Sequence, residues 1–394
     1  MTNSRHVVAI EPAGFPPPDF SALRVLVVHD WITAWAGSER VLEQILTLLP
    51  QADLVVGVLD GHALPSNTVT ERAKETWMRR IPLARRHHRW FLPFYPAAFA
   101  SLDTRGYDLV ISSAHAFAKC VRPSAGTPHV CYCHSPPRYL WDLQHDYQRE
   151  SGLASTALSF AAPLLRRVDR ASARRVDHFV ANSHYIADRI RRAYGRDASV
   201  VYPPVTPKPV PSARAARSDA LLALGRLVPY KRVDLAIEMA NALGERLIVA
   251  GDGPERARLE RLAGPTVTFE GDVSELRAGE LMESCRSMVF CAEEDFGIAP
   301  VEANMHGLPV IAYGRGALRE SMVDGVTAQF FDEPSVASLS AAVQRSRGRD
   351  WDHQAIRANG NRFSAERFRT EFAQLVVNVL ATRGAGVSSV DGPG

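Results

Sequence analysis

The chain lacks any long apolar run. Its longest weakly polar stretch, residues 151–165, is broken by Ser and Gly. A membrane-spanning helix needs about 20 apolar residues, so no crossing of a bilayer is expected. The first 20 residues hold none of the apolar core that a secretory signal carries. Cysteine is scarce and odd in number: Cys120, Cys131, Cys133, Cys285 and Cys291. No Cys-x-x-Cys pair occurs, which excludes a zinc ribbon and a disulfide framework. Buried, reduced thiols of a cytosolic protein are expected instead. Charge of one sign is lacking too. The net charge is +3 over 394 residues, of which 23% are charged and 46% apolar. That balance excludes global disorder and does not predict a nucleic-acid partner.

The small total conceals an asymmetry. Residues 1–206 carry 24 Lys+Arg against 18 Asp+Glu, and the remainder 22 against 25. A basic front half suggests a polyanionic partner for that half. The length suits about two domains.

Short Val/Ile/Leu-rich runs alternate with helical patterns throughout. Candidate strands are residues 24–29, 54–58, 108–112, 129–134, 178–181 and 199–202, then 220–224, 246–250, 267–269, 287–291 and 309–313. Continuous apolar strands are those of a parallel sheet covered on both faces. The predicted fold class is therefore α/β, with two Rossmann-like, doubly wound sheets in tandem. The best boundary is the Pro-rich segment from Pro203 to Ser218, whose five prolines suit neither helix nor central strand. The expected organisation is a flexible lead-in (1–20), a first domain (21–203), a linker (204–218) and a second domain (219–363). A C-terminal helix (364–381) would return to the first domain, and a loose tail (382–394) would follow. Two such lobes imply a cleft that takes ligands at the strands' carboxyl ends.

Four segments border that cleft. In Glu294-Asp-Phe-Gly-Ile-Ala-Pro-Val-Glu302, a strand runs into an acidic turn and then a helix begins near Ile298. Pro300 suits the first helical turn, and the Gly297 loop lets backbone N–H groups approach an anion. The two carboxylates would flank a phosphate-sized site and suit hydroxyl-rich groups. The same acids also suit simple helix capping, so spacing alone leaves both readings open. In Gly225-Arg-Leu-Val-Pro-Tyr-Lys-Arg232, Arg226 and Lys231 place cations where they oppose a helix dipole but suit a diphosphate. Ala36-Gly37-Ser38-Glu39 is a small-residue turn onto a helix in the other lobe. His134 ends an apolar strand before two prolines, on the ligand side of its sheet, where it serves either a site or the structure. Two further patterns carry less. Gly251-Asp-Gly253 lacks the third glycine of a dinucleotide fingerprint. Asp350-Trp351-Asp352 reads as helix-start acids rather than a metal-binding pair.

Taken together, these residues resemble the retaining GT-B glycosyltransferases of family four, over about residues 23–380. The pairing of Glu294 and Glu302 with Gly225-Arg-Leu-x-x-x-Lys231 is the most specific mark. Tyr132-Cys-His-Ser-Pro-Pro-Arg-Tyr-Leu-Trp-Asp142, Ala181-Asn-Ser-His184 and Val201-Tyr-Pro-Pro-Val205 are similar to a bacterial mannosyltransferase branch that builds O-antigen and exopolysaccharide. The resemblance implies that Arg226 and Lys231 hold the donor diphosphate. Glu294 and the backbone of Phe296, Gly297 and Ile298 would meet the donor sugar, and Glu302 the ribose. His134 would sit beside the reacting sugar, Gly37 would admit the phosphates, and Val273 in the turn Gly271–Val273 would face the base. It implies a nucleotide-sugar donor, most simply GDP-mannose, and neither metal nor other cofactor. One position departs from the family: its usual glycine after the first glutamate is Asp295 here. A UDP-sugar transferase, a nucleotide-sugar epimerase and a non-catalytic sugar-nucleotide binder are the competing readings.

The acceptor side is read from residues 71–100, with seven basic residues and two acids. Arg79, Arg80, Arg85 and Arg86 precede Trp90 and Phe91, and a second basic stretch spans Arg166 to Arg175. Basic residues beside aromatics suit an anionic membrane surface, and equally a solvated face over core aromatics. The expectation is peripheral docking on the inner face of the cell membrane, to reach a polyprenyl-diphosphate-linked saccharide.

Overall fold

The computed structural model describes residues 18–60, 68–141, 152–210 and 217–387. Most of the lead-in, Asp142, residues 211–216 of the Pro-rich segment and the tail beyond residue 387 lie outside the described residues.

Two parallel sheets organise the chain. The first contains β1 (Val25–His29), β2 (Asp53–Val56), β3 (Ala73–Glu75), β4 (Leu109–Ala114), β5 (His129–Cys133), β6 (His178–Ala181) and β7 (Ala198–Val200). Their order is β3-β2-β1-β4-β5-β6-β7. The second contains β8 (Leu221–Leu224), β9 (Leu247–Ala250), β10 (Val267–Gly271), β11 (Ser287–Phe290), β12 (Val310–Tyr313) and β13 (Ala328–Phe331), in the order β10-β9-β8-β11-β12-β13. All pairings between these strands are parallel. The α/β architecture with two doubly wound sheets is thus observed.

Both strands absent from the sequence reading, β3 and β13, are edge strands. Their sequences, Ala-Lys-Glu and Ala-Gln-Phe-Phe, show why. The first is short and polar, and the second, although buried along its length, has Gln329 interrupting its apolar run.

Alternation along each strand divides the core. Val25 and Val27 pack with Leu109, Ile111, Val130 and Tyr132 on one face of the first sheet, and Leu26 and Val28 pack on the other. A helix at Ala365–Val387 crosses back to the first sheet. There Phe368, Phe372 and Val376 join the Val25 face, with Tyr132 edge-on to both Phe rings at 5.8 and 6.3 Å. This helix continues beyond residue 381, where a loose tail was expected. A helix already docked gains one hydrogen bond for each residue it adds, so glycines in its last turns do not stop it.

Two termini of the expected segments are also packed. Phe20, in the supposed lead-in, is buried in the first core. Within the Pro-rich segment, Val205 is buried, donates its N–H to the Phe363 carbonyl at 2.8 Å and pairs with Ser364. Proline removes a donor but leaves its neighbours free to pack. All five cysteines are buried and unbridged. Among the described residues no helix is long and apolar enough to cross a membrane.

Candidate functional site

Strand order reverses between β1 and β4 in the first sheet and between β8 and β11 in the second. Ligands of α/β sheets bind beyond the strand ends at such reversals. The candidate residues lie there because the strands end there. β1 leads to the Gly37 turn, β5 ends immediately before His134, β8 before Gly225–Lys231, and β11 before Glu294–Ile298.

In the second lobe, Lys231 Nζ donates to the Glu294 carboxylate. The ammonium also lies 5.1 Å from the Phe290 ring centre and 5.5 Å from that of Tyr230. Burial draws the Lys231 pKa down, and Glu294 beside it outweighs that pull, leaving it above its ordinary value. Arg226 is exposed, and no described residue forms an ion pair with it. Gly297 has φ +86° and leads into a helix at Ile298–Met305 that no side chain caps. The first lobe closes on that helix at Gly37, where an added Cβ would stand 2.5 Å from Ile298 Cδ1. Phe296 is buried against Tyr202 and Phe363, so only its backbone can serve the site. Val273 is half buried against the second core. Gly251 permits a close backbone approach, because a Cβ there would lie 2.1 Å from the Gly225 carbonyl oxygen. The Gly-Asp-Gly pattern therefore answers to packing between two turns.

Of the two carboxylates expected to flank the site, Glu294 is paired with Lys231 of its own lobe, and Glu302 meets Arg40 from across the cleft and Lys208 of the Pro-rich segment. Glu302 Oε1 accepts from Arg40 Nη1 at 2.7 Å and lies 3.3 Å from Lys208 Nζ. Glu275 joins the same cations, at 2.7 Å from Arg40 and 2.9 Å from Lys208. Asp295, the departure from the family pattern, is held by Arg138 at 2.5 Å and Arg189 at 3.0 Å, both from the first lobe. Burial raises the Asp295 pKa, against the pull of these two arginines. Glu320 completes this side of the contact. Its carboxylate accepts from the backbone N–H groups of His184 and Tyr185 at 2.7 and 2.8 Å, at the start of a helix where an anion is favoured.

His134 is half buried, and its Nε2 lies 2.8 Å from Ser113 Oγ. The His29 and His115 rings stand edge-on to it at 6.5 and 6.3 Å. Burial, reinforced by His115 and His29, takes the His134 pKa well below the imidazole range. Beneath them the buried Asp30 carboxylate accepts from four successive backbone N–H groups, His115 to Ala118, at 2.6–2.7 Å. That carboxylate fixes the loop after β4.

The basic segment needs two corrections. Arg85 is not free for a surface, because Glu75 accepts from it at 2.5 and 3.1 Å. Phe91 is half buried against the first core. The outward apolar groups are Trp90 (62% exposed), Leu83 (61%), Phe94 (50%) and Trp77 (38%), beside exposed Arg79, Arg80, Arg86 and Arg89. In the second basic stretch, Arg166 and Arg170 donate to the carbonyls of Leu140 and Ala193, while Arg167, Arg174 and Arg175 are exposed. Asp352 caps a helix at His353–Asn361, accepting from Gln354 and Ala355 N–H groups at 2.9 and 3.0 Å.

His29 and Ser113 also belong to this cluster, and the position that marks His134 marks them too. Both lie at or beside the carboxyl ends of central strands. Arg40, Arg138, Arg189 and Lys208 left no such signal, since nothing local tells a cation that meets a distant carboxylate from one in solvent.

Residues 35–208 match the family model described as Glycosyltransferase Family 4, and residues 208–358 the one described as Glycosyl transferases group 1. A GDP-mannose-dependent alpha-(1-6)-phosphatidylinositol dimannoside mannosyltransferase of Mycobacterium tuberculosis is 30% identical over 173 residues, 42% of this chain and 44% of the relative. The corresponding monomannoside mannosyltransferase of that organism is 30% identical over 212 residues, 46% and 55% of the two chains. The chain thus spans about half the length of the curated relatives it matches. Among solved structures, sucrose-phosphate synthase from Thermosynechococcus elongatus superposes with a TM-score of 0.69 at 17% identity, covering 91% of this chain and all of that one.

Proposed function

The chain belongs to the family-four, group 1 glycosyltransferases of GT-B fold, and from that premise we propose that it transfers mannose from GDP-mannose to a lipid-linked saccharide. The observation that carries this reading is the Lys231–Glu294 pair beside the uncapped helix at Ile298, with Gly37 of the opposite lobe against it. A cation, a carboxylate and an open helix N-terminus suit a sugar diphosphate. The mycobacterial relatives, named as GDP-mannose-dependent, support mannose as the sugar.

In this reading Lys231 and Arg226 neutralise the diphosphate, and no metal is required. Glu294 accepts from hydroxyls of the sugar, and Glu302 from the ribose diol. The acceptor oxygen bonds to the anomeric carbon on the face that the diphosphate leaves. The bond from that carbon to the phosphate oxygen breaks and the acceptor proton passes to the departing phosphate; because entry and departure share one face, configuration is retained. Negative charge builds on the leaving group, where the two cations and the helix dipole stabilise it. Lobe closure excludes the water that would hydrolyse the donor. The basic, aromatic segment at Arg79–Phe94 docks on anionic lipid at the inner face of the membrane, as in the assembly of O-antigen or exopolysaccharide.

The test is product analysis with GDP-mannose and synthetic polyprenyl-diphosphate saccharides, beside a thermal-shift comparison of GDP and UDP. A mannosylated lipid and stabilisation by GDP are expected. Stabilisation by UDP alone, with turnover only of a UDP-sugar, overturns the donor assignment.

A further inference from the structure

His29 on β1 and Ser113 on β4 are partners in the parallel register, and His134 follows β5 directly. Side chains two residues apart share a face of a sheet. Val25 and Val27, Leu109 and Ile111, and Val130 and Tyr132 all face the helix at Gly37–Leu48. His29, Ser113 and His134 continue those three rows to the cleft. Their heteroatoms meet in sequence, with His29 Nδ1 3.0 Å from Ser113 Oγ and Ser113 Oγ 2.8 Å from His134 Nε2. The other end of the row is Glu39, whose Oε1 lies 3.6 Å from His29 Nε2. His29 and Glu39 are both buried.

We propose that the Glu39 carboxylate, facing His29 Nε2, sets the direction of the hydrogen bonds that join His29, Ser113 and His134, so that His134 keeps its proton on Nε2 and offers Nδ1 as an acceptor to a substrate hydroxyl. This deepens the sugar-transfer reading and rests on it for the identity of that hydroxyl.

The direction follows from donor counting. At 3.6 Å the Glu39 carboxylate is too far to accept a hydrogen bond, but its charge favours an N–H over a lone pair on the imidazole nitrogen that faces it. In the proposed chain His29 presents its lone pair at Nδ1, and Ser113 donates to it. A hydroxyl has one hydrogen, so toward His134 Ser113 can only accept. His134 Nε2 therefore donates, and its Nδ1 keeps a lone pair. Burial and the two neighbouring imidazoles keep this ring neutral. An acceptor nitrogen pairs with a sugar O–H and not with a phosphate oxygen, which has no hydrogen to give. His134 is thereby turned toward the sugar rather than the diphosphate. Ser113, His29 and Glu39 are positioning residues in this scheme.

The chain can be reversed by one substitution. Glu39 Oε2 accepts from Ala36 N–H at 3.0 Å and from the Ser38 hydroxyl at 2.9 Å. In Glu39→Gln those two donors claim the amide oxygen and turn the NH2 toward His29. Every bond then runs the other way, and the His134 proton moves to Nδ1.

The experiment uses the full chain labelled with 15N-histidine. Two-bond 15N–1H spectra report the tautomer, and His134→Asn identifies the signal. Wild type is expected as Nε2–H, Glu39→Gln as Nδ1–H and Ser113→Ala as a mixture. Ser113→Ala should lower kcat about ten-fold with donor KM and Tm little changed, and Ser113→Thr, which keeps the hydroxyl, should restore both tautomer and rate. A wild-type Nδ1–H signal overturns the chain, as does one that neither Glu39→Gln nor Ser113→Ala alters. Because the spectra need no turnover, a tautomer change without mannosyl transfer would uphold the chain and refute the sugar reading alone.

Discussion

Arg40 Nη1 of the first lobe lies 2.7 Å from Glu302 Oε1 of the second. Glu302 is buried, so this pair and Lys208 at 3.3 Å supply the cations that its charge needs without a ligand. If Glu302 takes the ribose, Arg40 competes for the same oxygen. Arg40→Ala is predicted to tighten GDP binding about three- to ten-fold, since Lys208 still neutralises the carboxylate. Titration calorimetry reads it directly. Equal or weaker binding would show that Arg40 does not compete with the nucleotide.

Lys231→Ala is predicted to lower kcat about 100-fold, the scale of losing one preorganised charge at a leaving group. Glu294 is left part-exposed, so water can solvate it and Tm should change by only a few degrees. Initial rates with GDP-mannose and a thermal melt together check this. Near-normal turnover would remove Lys231 from the leaving-group role.

His129 gives the fold a pH dependence. It is fully buried, and its Nε2 meets Ser112 Oγ at 2.8 Å. Burial pushes its pKa down to about 4. The unfolded imidazole takes up a proton below about pH 6.5 while the folded one does not, so stability falls as pH drops from there toward 4. One such proton amounts to about 1.4 kcal/mol per pH unit. Urea unfolding at pH 7 and pH 5 should show a loss that His129→Gln reduces by about 1–2 kcal/mol. Identical losses in both proteins would place the effect on other groups.

The exposed basic and apolar side chains can be tested apart from the cleft. An Arg79/Arg80/Arg86→Glu variant should lose most of its flotation with anionic liposomes. Leu83→Ser with Trp90→Ser should lose it more weakly, because charge attracts at a distance and apolar groups insert only on contact. Arg85→Glu is a poor probe, since it also breaks the Glu75 pair. Equal partitioning of wild type and the triple variant would refute docking through this face.

Much of this molecule could be read from its sequence, for reasons that differ by residue. Val25–His29 and Ser287–Phe290 were legible because a strand buried on both faces must be apolar throughout. Gly297 and Pro300 marked a helix start because φ and the missing N–H are local properties. Ala73–Glu75 was not legible, since a polar edge strand has no pattern of its own. Asp295 looked like a family departure at the sugar site. In the folded chain it is the second lobe's partner for Arg138 and Arg189.

The sequence alone determined the two-sheet architecture, the loops that close the strands and the chemical types placed there, because periodicity, turns and charge act within a few residues. Only the tertiary structure decided which charges meet. Arg40 reaches Glu302 across 262 positions of chain, and Ser113 joins His29 to His134 because β4 lies between β1 and β5. Coulomb attraction and hydrogen bonding act over a few ångströms, and the packing of sheets and lobes sets those distances.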